Sequence, residues 1–302
     1  MTEMNDTTTV IREFLAEQVQ VVDRVLNEWV PEETVAPASI HQAMRYSLFA
    51  GGKRIRPILA MASAQTVTSS PIGVENAAAT LELVHTYSLI HDDLPALDND
   101  DLRRGRLTCH KVFGDAMAIL AGDALLTLSF EVLSRLSALD SARKIRLVEE
   151  LSRASGTVGG MIGGQVNDIE GERRQPTAEM LDSIHRAKTG ALLRASVRMG
   201  AIYAGATEQQ LAKLSEYGEH VGLAFQIVDD VLDIEESSEA LGKTAGKDEA
   251  QQKITFPAVY GLERSREMAE EERLAAHAAL AEFGGRAERL RQIADFIVQR
   301  KT

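Results

Sequence analysis

Apolar residues recur at the spacing of a helix along most of this 302-residue chain. Two stretches, 74–91 and 112–136, are apolar on nearly every side, which is typical of buried helices rather than surface ones. The remaining helical patterns cover residues 9–29, 39–50, 56–68, 141–155, 177–200, 207–233, 254–261, 265–283 and 286 to the end. No stretch alternates convincingly between apolar and polar residues as a half-buried strand does, so the pattern predicts an all-α protein.

The connections between these runs indicate a single domain. Two charged stretches, 98–111 and 235–252, are predicted to be loops. Both also contain residues of the motifs described below, so neither is expected to be a linker between domains. We therefore predict one domain over residues 1–302, built as a bundle of roughly ten or more helices with short connections.

Overall composition limits the possible classes of function. The chain is 44% apolar and 26% charged, as expected for a soluble globular protein. Its formal net charge of −12 argues against a nucleic-acid-binding protein, which needs cations to neutralise phosphates. The single cysteine, Cys109, excludes an internal disulfide and indicates a reducing, cytoplasmic location. We expect no transmembrane segment, because no run of about 18 apolar residues is free of charge.

Two clusters of aspartates each follow a strongly apolar helical run. The first cluster contains Asp92, Asp93 and Asp98, and the second contains Asp229, Asp230 and Asp233. Carboxylates in such surroundings repel one another and are costly to bury unless a cation joins them. Mg²⁺ is typically held by a few carboxylates together with substrate phosphates. The two clusters therefore predict a magnesium-bridged phosphate or diphosphate site between two helices.

The spacing within each cluster suggests which carboxylates share a site. Asp229 and Asp233 are four residues apart and lie on one face of a helix, whereas Asp230 points elsewhere and is expected to have a supporting role. Asp92 and Asp98 do not share a face of a regular helix. Pro95 lies between them and disfavours helix, so an unwound turn could bring Asp98 back toward Asp92. A solvated acidic helix end is the alternative for either cluster alone.

Basic and polar residues near the clusters could hold an anion. Residues 51–57 (Gly-Gly-Lys-Arg-Ile-Arg-Pro) combine flexible backbone with cations, and Arg103-Arg104-Gly105 follows the first cluster. A charged turn between helices is the alternative for each motif. Several polar residues lie in otherwise apolar runs, and each also has an ordinary structural explanation, as a core histidine, a surface lysine, a buried amide or a helix cap. They are His85, His91, Gln165, Asp168, Lys188 and Gln226.

Together these motifs resemble the trans-prenyltransferase (polyprenyl synthase) family, and within it the bacterial type of farnesyl diphosphate synthase. They occur in the family's pattern between residues 51 and 257 and include His91-Asp92-Asp93-Leu-Pro-Ala-Leu-Asp98 and Phe225-Gln226-Ile-Val-Asp229-Asp230-Val-Leu-Asp233. Gly163-Gly164-Gln165, Lys188-Thr189-Gly190 and Gly242-Lys243-Thr244 also match. One departure is Lys253-Ile-Thr-Phe-Pro257, where the family often has Lys-Ser-Thr-Tyr-Pro.

The resemblance implies a helical bundle around a central cavity, with specific roles for its polar residues. Mg²⁺, as three ions per active site, would be coordinated by Asp92, Asp93, Asp98, Asp229 and Asp233, and the catalytic set would also include Asp230 and Lys188. The allylic substrate would contact Arg103, Lys188, Thr189, Gln226, Lys243 and Lys253. Isopentenyl diphosphate would bind Lys53, Arg56, His85 and Arg104. Tyr87 and Ser88, five and four residues before the first aspartate, would set the product length.

The implied reaction joins isopentenyl diphosphate to dimethylallyl and then geranyl diphosphate. A tyrosine at the fifth position, with Pro95-Ala96 in the cluster, implies the fifteen-carbon product farnesyl diphosphate. The resemblance also implies a homodimer. The nearest alternative is a geranylgeranyl diphosphate synthase. More distant alternatives are an HD-type metal phosphohydrolase, suggested by His91-Asp92, a non-catalytic partner subunit and a terpene cyclase.

Overall fold

The computed structural model describes residues 2–171, 177–235 and 254–300, with side chains from residue 9 onward. Lys243 and Lys253, two predicted substrate contacts, lie outside the described residues. The predicted all-α class is confirmed: helices form almost all of the regular structure in the described ranges. The amino-terminal helices are α1 (Thr2–Trp29), α2 (Ala38–Leu48), α3 (Ile55–Val67), α4 (Val74–Asp92), α5 (Cys109–Phe113), α6 (Asp115–Ser134) and α7 (Ser141–Ser155).

The second half continues the bundle. Its helices are α8 (Met161–Gly171), α9 (Ala178–His185), α10 (Ala191–Tyr203), α11 (Glu208–Glu235), α12 (Phe256–Tyr260), α13 (Leu262–Ala279) and α14 (Glu288–Gln299). A π-helical turn, Arg186–Gly190, joins α9 to α10, and a 3₁₀ segment, Ala281–Ala287, precedes α14. The pattern had predicted one continuous helix over 177–200, so the π turn is a correction.

The 19-residue helix α4 lies at the centre of the bundle and packs against α1, α2, α3, α6 and α10. Its buried residues point in every direction around the helix, as its all-round apolar pattern predicts. A main core links α4 to both ends of the chain, and a smaller cluster that includes Ile184, Ile227 and Phe256 lies beneath α9, α11 and α12. This central position fixes the end of α4, where the first aspartate cluster begins.

Helix α6 differs from its prediction. Its pattern indicated burial on all sides, but Ile119 and Leu120 are 44% and 53% exposed. Helix α6 packs on α2, α4, α5 and α7, and the side that carries Ile119 and Leu120 is exposed among the described residues. Among the described helices, α6 is also the one that is long and apolar enough to cross a bilayer by length and composition.

The predicted loop after the first cluster contains regular structure. Strands β1 (Leu102–Arg103) and β2 (Arg106–Leu107) pair antiparallel, with Arg103 opposite Arg106. Arg104 and Gly105 form the tight turn with φ of 53° and 72°. Two residues per strand are too few for an alternating pattern to be visible in the sequence. The loop prediction was therefore correct for the connection but missed its hairpin and the short helix α5.

Candidate active site

The chain reverses direction immediately after α4. The amide of Asp98 donates to the carbonyl of Asp92 at 2.8 Å, and the amide of Asp100 donates to the carbonyl of Asp93 at 3.2 Å. Pro95 lies at the tip of this turn, where it cannot continue the helix. The turn thus brings Asp98 back to Asp92, as the position of Pro95 predicted.

The hairpin that follows the turn carries two arginines with different partners. Arg103 forms a close pair with Asp93, with Nε 2.8 Å and Nη2 2.7 Å from Oδ1. Arg104 donates to the carbonyl of Gly51, and its guanidinium lies against the α-carbon of Gly52. A Cβ at Gly52 would come within 2.7 Å of that guanidinium, and its φ of 139° also favours glycine. The glycine pair therefore lets the 51–57 motif approach the hairpin.

The arginines of the 51–57 motif point to different parts of the molecule. Arg54, which is 3% exposed, bonds Asp23 at 2.9 Å and Glu82 at 2.7 Å inside the bundle. Arg56 lines the central cavity instead, and its buried Nε has no hydrogen-bond partner among the described residues. A buried guanidinium nitrogen without an acceptor is well placed to bind an anionic ligand. Lys53 is exposed on the preceding loop.

One cavity of about 560 Å³ brings most of the predicted site residues together. Its lining contains aspartates from both clusters, several basic residues and several apolar side chains. The predicted residues that line it are Arg56, His85, Tyr87, Ser88, Asp92, Arg103, Arg104, Lys188, Thr189 and Asp229. The other predicted residues of the described ranges are not part of this lining; they are Lys53, Asp93, Asp98, Gln226, Asp230 and Asp233.

The charged residues of the cavity suit a phosphate-containing ligand that binds together with metal cations. Burial raises the pKa of Asp92 to about 6, with Lys188 opposing the shift and Asp98 adding to it. Burial also lowers the pKa of His85 well below its usual value, and the charges of Arg56 and Arg104 lower it further. His85 is therefore neutral at neutral pH and acts as a hydrogen-bond donor or acceptor rather than as a cation.

Lys188 lies in the π turn, beside the N-terminal end of α10. Its Nζ donates to Oδ2 of Asp168 at 2.6 Å. Gly164 of α8 packs directly on the backbone of Lys188, where an added Cβ would be only 2.1 Å from the amide nitrogen. Gly164 thus permits a close contact between α8 and the π turn, and π turns are often found at functional sites.

Comparison of the sequence with models of known protein families identifies the family to which this site belongs. The model of the polyprenyl synthetase family matches residues 37–294, which include nearly all of the elements described above. The chain belongs to the polyprenyl synthetase family. It is a trans-prenyl diphosphate synthase of the farnesyl or geranylgeranyl type.

Related polyprenyl synthetases are similar over most of their length. A farnesyl diphosphate synthase of Geobacillus stearothermophilus is 46% identical over 259 residues, which cover 85% of this chain and 86% of that protein. A geranylgeranyl pyrophosphate synthase of Arabidopsis thaliana is 47% identical over 277 residues, 90% of this chain and 76% of that protein. These relatives carry both product names, so identity alone does not choose between them.

Solved structures of the family have the same fold. A farnesyl/geranylfarnesyl diphosphate synthase of Zymomonas mobilis matches with a TM-score of 0.85 at 36% identity, covering 96% of this chain and 99% of that one. A geranylgeranyl pyrophosphate synthetase of Pyrococcus horikoshii matches with a TM-score of 0.87 at 30% identity, covering 97% and 99%. The helical fold is therefore shared with polyprenyl synthetases whose names give different products.

In the second aspartate cluster of this polyprenyl synthetase, the side chains of Asp229 and Asp230 point in different directions. Asp229 faces the cavity, whereas Asp230 is 4% exposed and turns inward. Asp230 accepts from Gln226 Nε2 at 2.7 Å and from the backbone amide of Phe256 at 2.9 Å. This geometry agrees with a supporting role for Asp230, which fastens α12 to α11. It also places Gln226 on Asp230, so its predicted contact with substrate stays a prediction.

The carboxylates fit Mg²⁺ bound together with a diphosphate. Asp92 and Asp229 face one cavity, and burial raises the pKa of Asp92 although Lys188 opposes the shift, so a bound cation would favour the ionised carboxylate. Within the described ranges, no group of three or more His, Cys, Asp or Glu side chains is arranged as a metal site by itself. Mg²⁺ commonly binds through one or two carboxylates, waters and substrate phosphates, so the donor set suits it.

Two charged residues that pair with predicted site residues were not assigned from the sequence. Asp168, which the sequence offered only as a helix cap, holds Lys188. Arg300, near the end of the chain, pairs with Asp229 and lies 4.1 Å from the ring centre of Phe225. The polar pair in an apolar run was a signal for Asp168. Nothing in the sequence around Arg300 indicated a contact 71 residues away.

Proposed function

We propose that this synthase is a Mg²⁺-dependent farnesyl diphosphate synthase. It condenses isopentenyl diphosphate with dimethylallyl and then geranyl diphosphate, and it releases farnesyl diphosphate and diphosphate. The observation that carries the proposal is that one cavity is lined by Asp92 and Asp229 and also by Tyr87 and Ser88.

Two groups of basic residues would hold the two diphosphates. Arg103, Lys188 and Thr189 lie with Asp92 in the lining and suit the allylic diphosphate. Arg56, Arg104 and neutral His85 suit isopentenyl diphosphate, because guanidinium forks bind phosphate oxygens in a fixed orientation. Mg²⁺ would be held by Asp92 and Asp229 of the lining, with Asp93, Asp98 and Asp233 of the same two clusters completing the predicted set. It would supply Lewis-acid stabilisation of the leaving diphosphate.

The protein's part in catalysis is positioning and exclusion of water. Cleavage of the allylic C–O bond leaves a carbocation, which the double bond of isopentenyl diphosphate attacks. A proton then leaves the new chain to the departing diphosphate, and no protein nucleophile is required. Ile162, Val166, Ile169 and Phe225 give the cavity an apolar wall that would keep water from the cation.

The wall residue Tyr87 supports the fifteen-carbon product. Its side chain is 5% exposed, and burial raises its pKa to about 12, so the ring stays neutral. The hydroxyl of Ser88 donates to the carbonyl of His85 at 2.8 Å, which leaves a small, satisfied side chain beside the ring. A rigid aromatic ring in the lining would stop chain growth earlier than a small residue would.

We also propose a homodimer in the cytoplasm. The exposed apolar residues Ile119 and Leu120 on α6 are a surface that association could cover. The one cysteine is buried and unpaired, as suits a reducing compartment. Light scattering after gel filtration measures the assembly state directly, and a monomer at micromolar concentration would contradict the proposed dimer.

The function is tested by incubating the protein with Mg²⁺, dimethylallyl diphosphate and labelled isopentenyl diphosphate. We expect labelled farnesol after phosphatase treatment and chromatography, and no product when EDTA replaces Mg²⁺. A twenty-carbon alcohol would identify a geranylgeranyl diphosphate synthase. Release of phosphate without chain growth would instead support the phosphohydrolase alternative.

A further inference from the structure

The ring of His91 occupies a notch in the neighbouring helix. His91 is the penultimate residue of α4. The notch is the space on α6 that Gly122 leaves open because it has no side chain. A Cβ on Gly122 would lie 2.2 Å from Nε2 of His91 and 2.6 Å from its Cδ2. Such distances are far inside van der Waals contact, so the ring could not remain in place beside an alanine.

Other contacts fix the orientation of the ring. Nε2 lies 3.1 Å from the carbonyl oxygen of Ile119, and because a carbonyl can only accept, this nitrogen carries the proton. The ring of Tyr87, one helical turn earlier, meets His91 edge-on with 5.7 Å between centroids. His91, Tyr87 and Ser88 line the same cavity. The nearest carboxylate is Asp123, at 3.9 Å from Nε2.

We propose that His91, seated against Gly122, is a specificity-determining residue that sets the length of the product together with Tyr87. This inference rests on the proposed function. The wall of the cavity on this side is a pair of rings one turn apart on α4, and the position of one ring depends on a glycine in α6. His91 thus sets the width of the cavity one helical turn from Tyr87, toward the C-terminal end of α4.

The direction of each effect follows from the packing. Helices α4 and α6 are in close contact along their length, so their backbones have little room to separate. A methyl group at position 122 therefore displaces the ring, and the adjacent free volume is the cavity. Removal of the ring has the opposite effect, since it adds space next to the growing chain.

The experiment compares product lengths of His91→Ala, Gly122→Ala and the double variant. We expect His91→Ala to shift the main product at least one isoprene unit longer and Gly122→Ala to shift it one unit shorter. The double variant should lose the Gly122→Ala effect, because the ring that was displaced is gone. Thr127→Ala is the matched control, an exposed position on the same helix, and should give the wild-type product.

A binding measurement tests the inference without turnover. Calorimetric titration with unreactive five-, ten- and fifteen-carbon alkyl diphosphates should show Gly122→Ala losing affinity for the longest by about tenfold or more, with little change for the shortest. His91→Ala should retain or improve the affinity for the longest. A wild-type enzyme that elongates no substrate would refute the proposed function. The dependence of these affinities on chain length would still test whether His91 and Gly122 set the length of chain that fits.

Two results would overturn the inference. One is a product distribution and an affinity series unchanged in His91→Ala, while circular dichroism shows a folded protein. The other is a double variant that keeps the short products of Gly122→Ala, since that would mean the methyl group acts without the ring. His91→Ala keeps the inference testable even if alanine at 122 prevents folding.

Discussion

The guanidinium of Arg300, just beyond the end of α14, pairs with the carboxylate of Asp229 in the second aspartate cluster. The same side chain donates to the carbonyl of Phe225 at 3.0 Å and lies over its ring, and only 6% of it is exposed. One of the predicted metal ligands therefore has a cation of the protein itself as its partner. Magnesium that binds Asp229 must replace or share that partner.

The first prediction concerns the magnesium requirement. Replacement of Arg300 by Gln removes the competing cation, so we expect half-maximal activity at a lower Mg²⁺ concentration, by up to about tenfold. Calorimetric binding of Mg²⁺ in the presence of a diphosphate measures the same change independently of turnover. An unchanged or higher Mg²⁺ requirement would show that Arg300 does not compete for Asp229.

A matched control is available on α14 itself. Arg289 also lies over a phenylalanine ring, at 4.6 Å from the centre of Phe14, and it bonds Gln292 rather than an aspartate of the site. Arg289→Gln should therefore leave the magnesium titration unchanged. Both variants lose an arginine–aromatic contact, but only Arg300→Gln also loses the ion pair with Asp229. A change in the magnesium requirement that only Arg300→Gln shows is therefore due to the ion pair.

The second prediction concerns Tyr87. Replacement of Tyr87 by Ala removes a buried ring from the cavity wall, so the chain can grow further before it meets an obstacle. We expect products of twenty carbons or more, measured by chromatography of the dephosphorylated alcohols. Tyr87→Phe is the control, because it keeps the ring and removes only the hydroxyl. An unchanged product length in Tyr87→Ala would refute the assignment of Tyr87 to the wall.

The third prediction separates two neighbouring arginines. Arg54→Ala leaves Glu82, which is 2% exposed, without its partner, so we expect about 3–5 kcal/mol less stability in urea unfolding. Arg56→Ala should change stability much less and raise the KM for isopentenyl diphosphate by about 10- to 100-fold, as expected for loss of hydrogen bonds to a charged group. Equal effects of the two changes on stability and on KM would contradict this division.

These arginines also show how far a sequence can be interpreted alone. The apolar spacing along the chain predicted the helical class, because that signal is local. The residues that line the cavity were predicted in most cases through the resemblance that the motifs carry. The unwound turn at Pro95 was predictable because its signal is also local. The opposite directions of Arg54 and Arg56 were not, since they depend on partners 28 and 31 residues away from Arg54.

Other features depend on contacts between distant helices. The sequence around Lys188 is a good helix pattern, and only the packing of Gly164 shows why the backbone widens into a π turn there. The contact of Arg300 with Asp229 depends on where α14 ends in three dimensions. The apolar pattern of α6 predicted burial on all sides. Such a pattern does not show which face of the helix packs against another element of the same chain.

The fourth prediction concerns the contact between α8 and the π turn. Gly164→Ala places a methyl group 2.1 Å from the backbone nitrogen of Lys188, and backbone cannot rotate away as a side chain can. We expect about 1–3 kcal/mol lower stability and a higher KM for the allylic substrate, because Lys188 moves with the turn. Gly285→Ala is the control, since its added Cβ would meet no atom of the described residues within 4 Å. Wild-type kinetics in Gly164→Ala would contradict a role for this contact.

The last prediction is a pH dependence of stability that originates at His185. This ring is 7% exposed, stacks on Phe256 with 5.2 Å between centroids, and has Nε2 at 3.6 Å from Asp230. Burial lowers its pKa to about 4. Between pH 4 and the unfolded value of about 6.5 the unfolded chain therefore binds a proton that the folded chain does not, and stability falls as the pH is lowered through this window.

Replacement of His185 by Gln should remove this contribution. We expect the stability difference between wild type and His185→Gln to change by up to about 3 kcal/mol between pH 7 and pH 4, in the direction that makes the wild type relatively weaker in acid. The opposite contribution of Asp92, whose pKa is raised, is present in both proteins and cancels in the difference. A difference that is constant from pH 7 to pH 4 would mean that His185 takes up its proton without unfolding, and that the packing of Phe256 against it does not depend on a neutral ring.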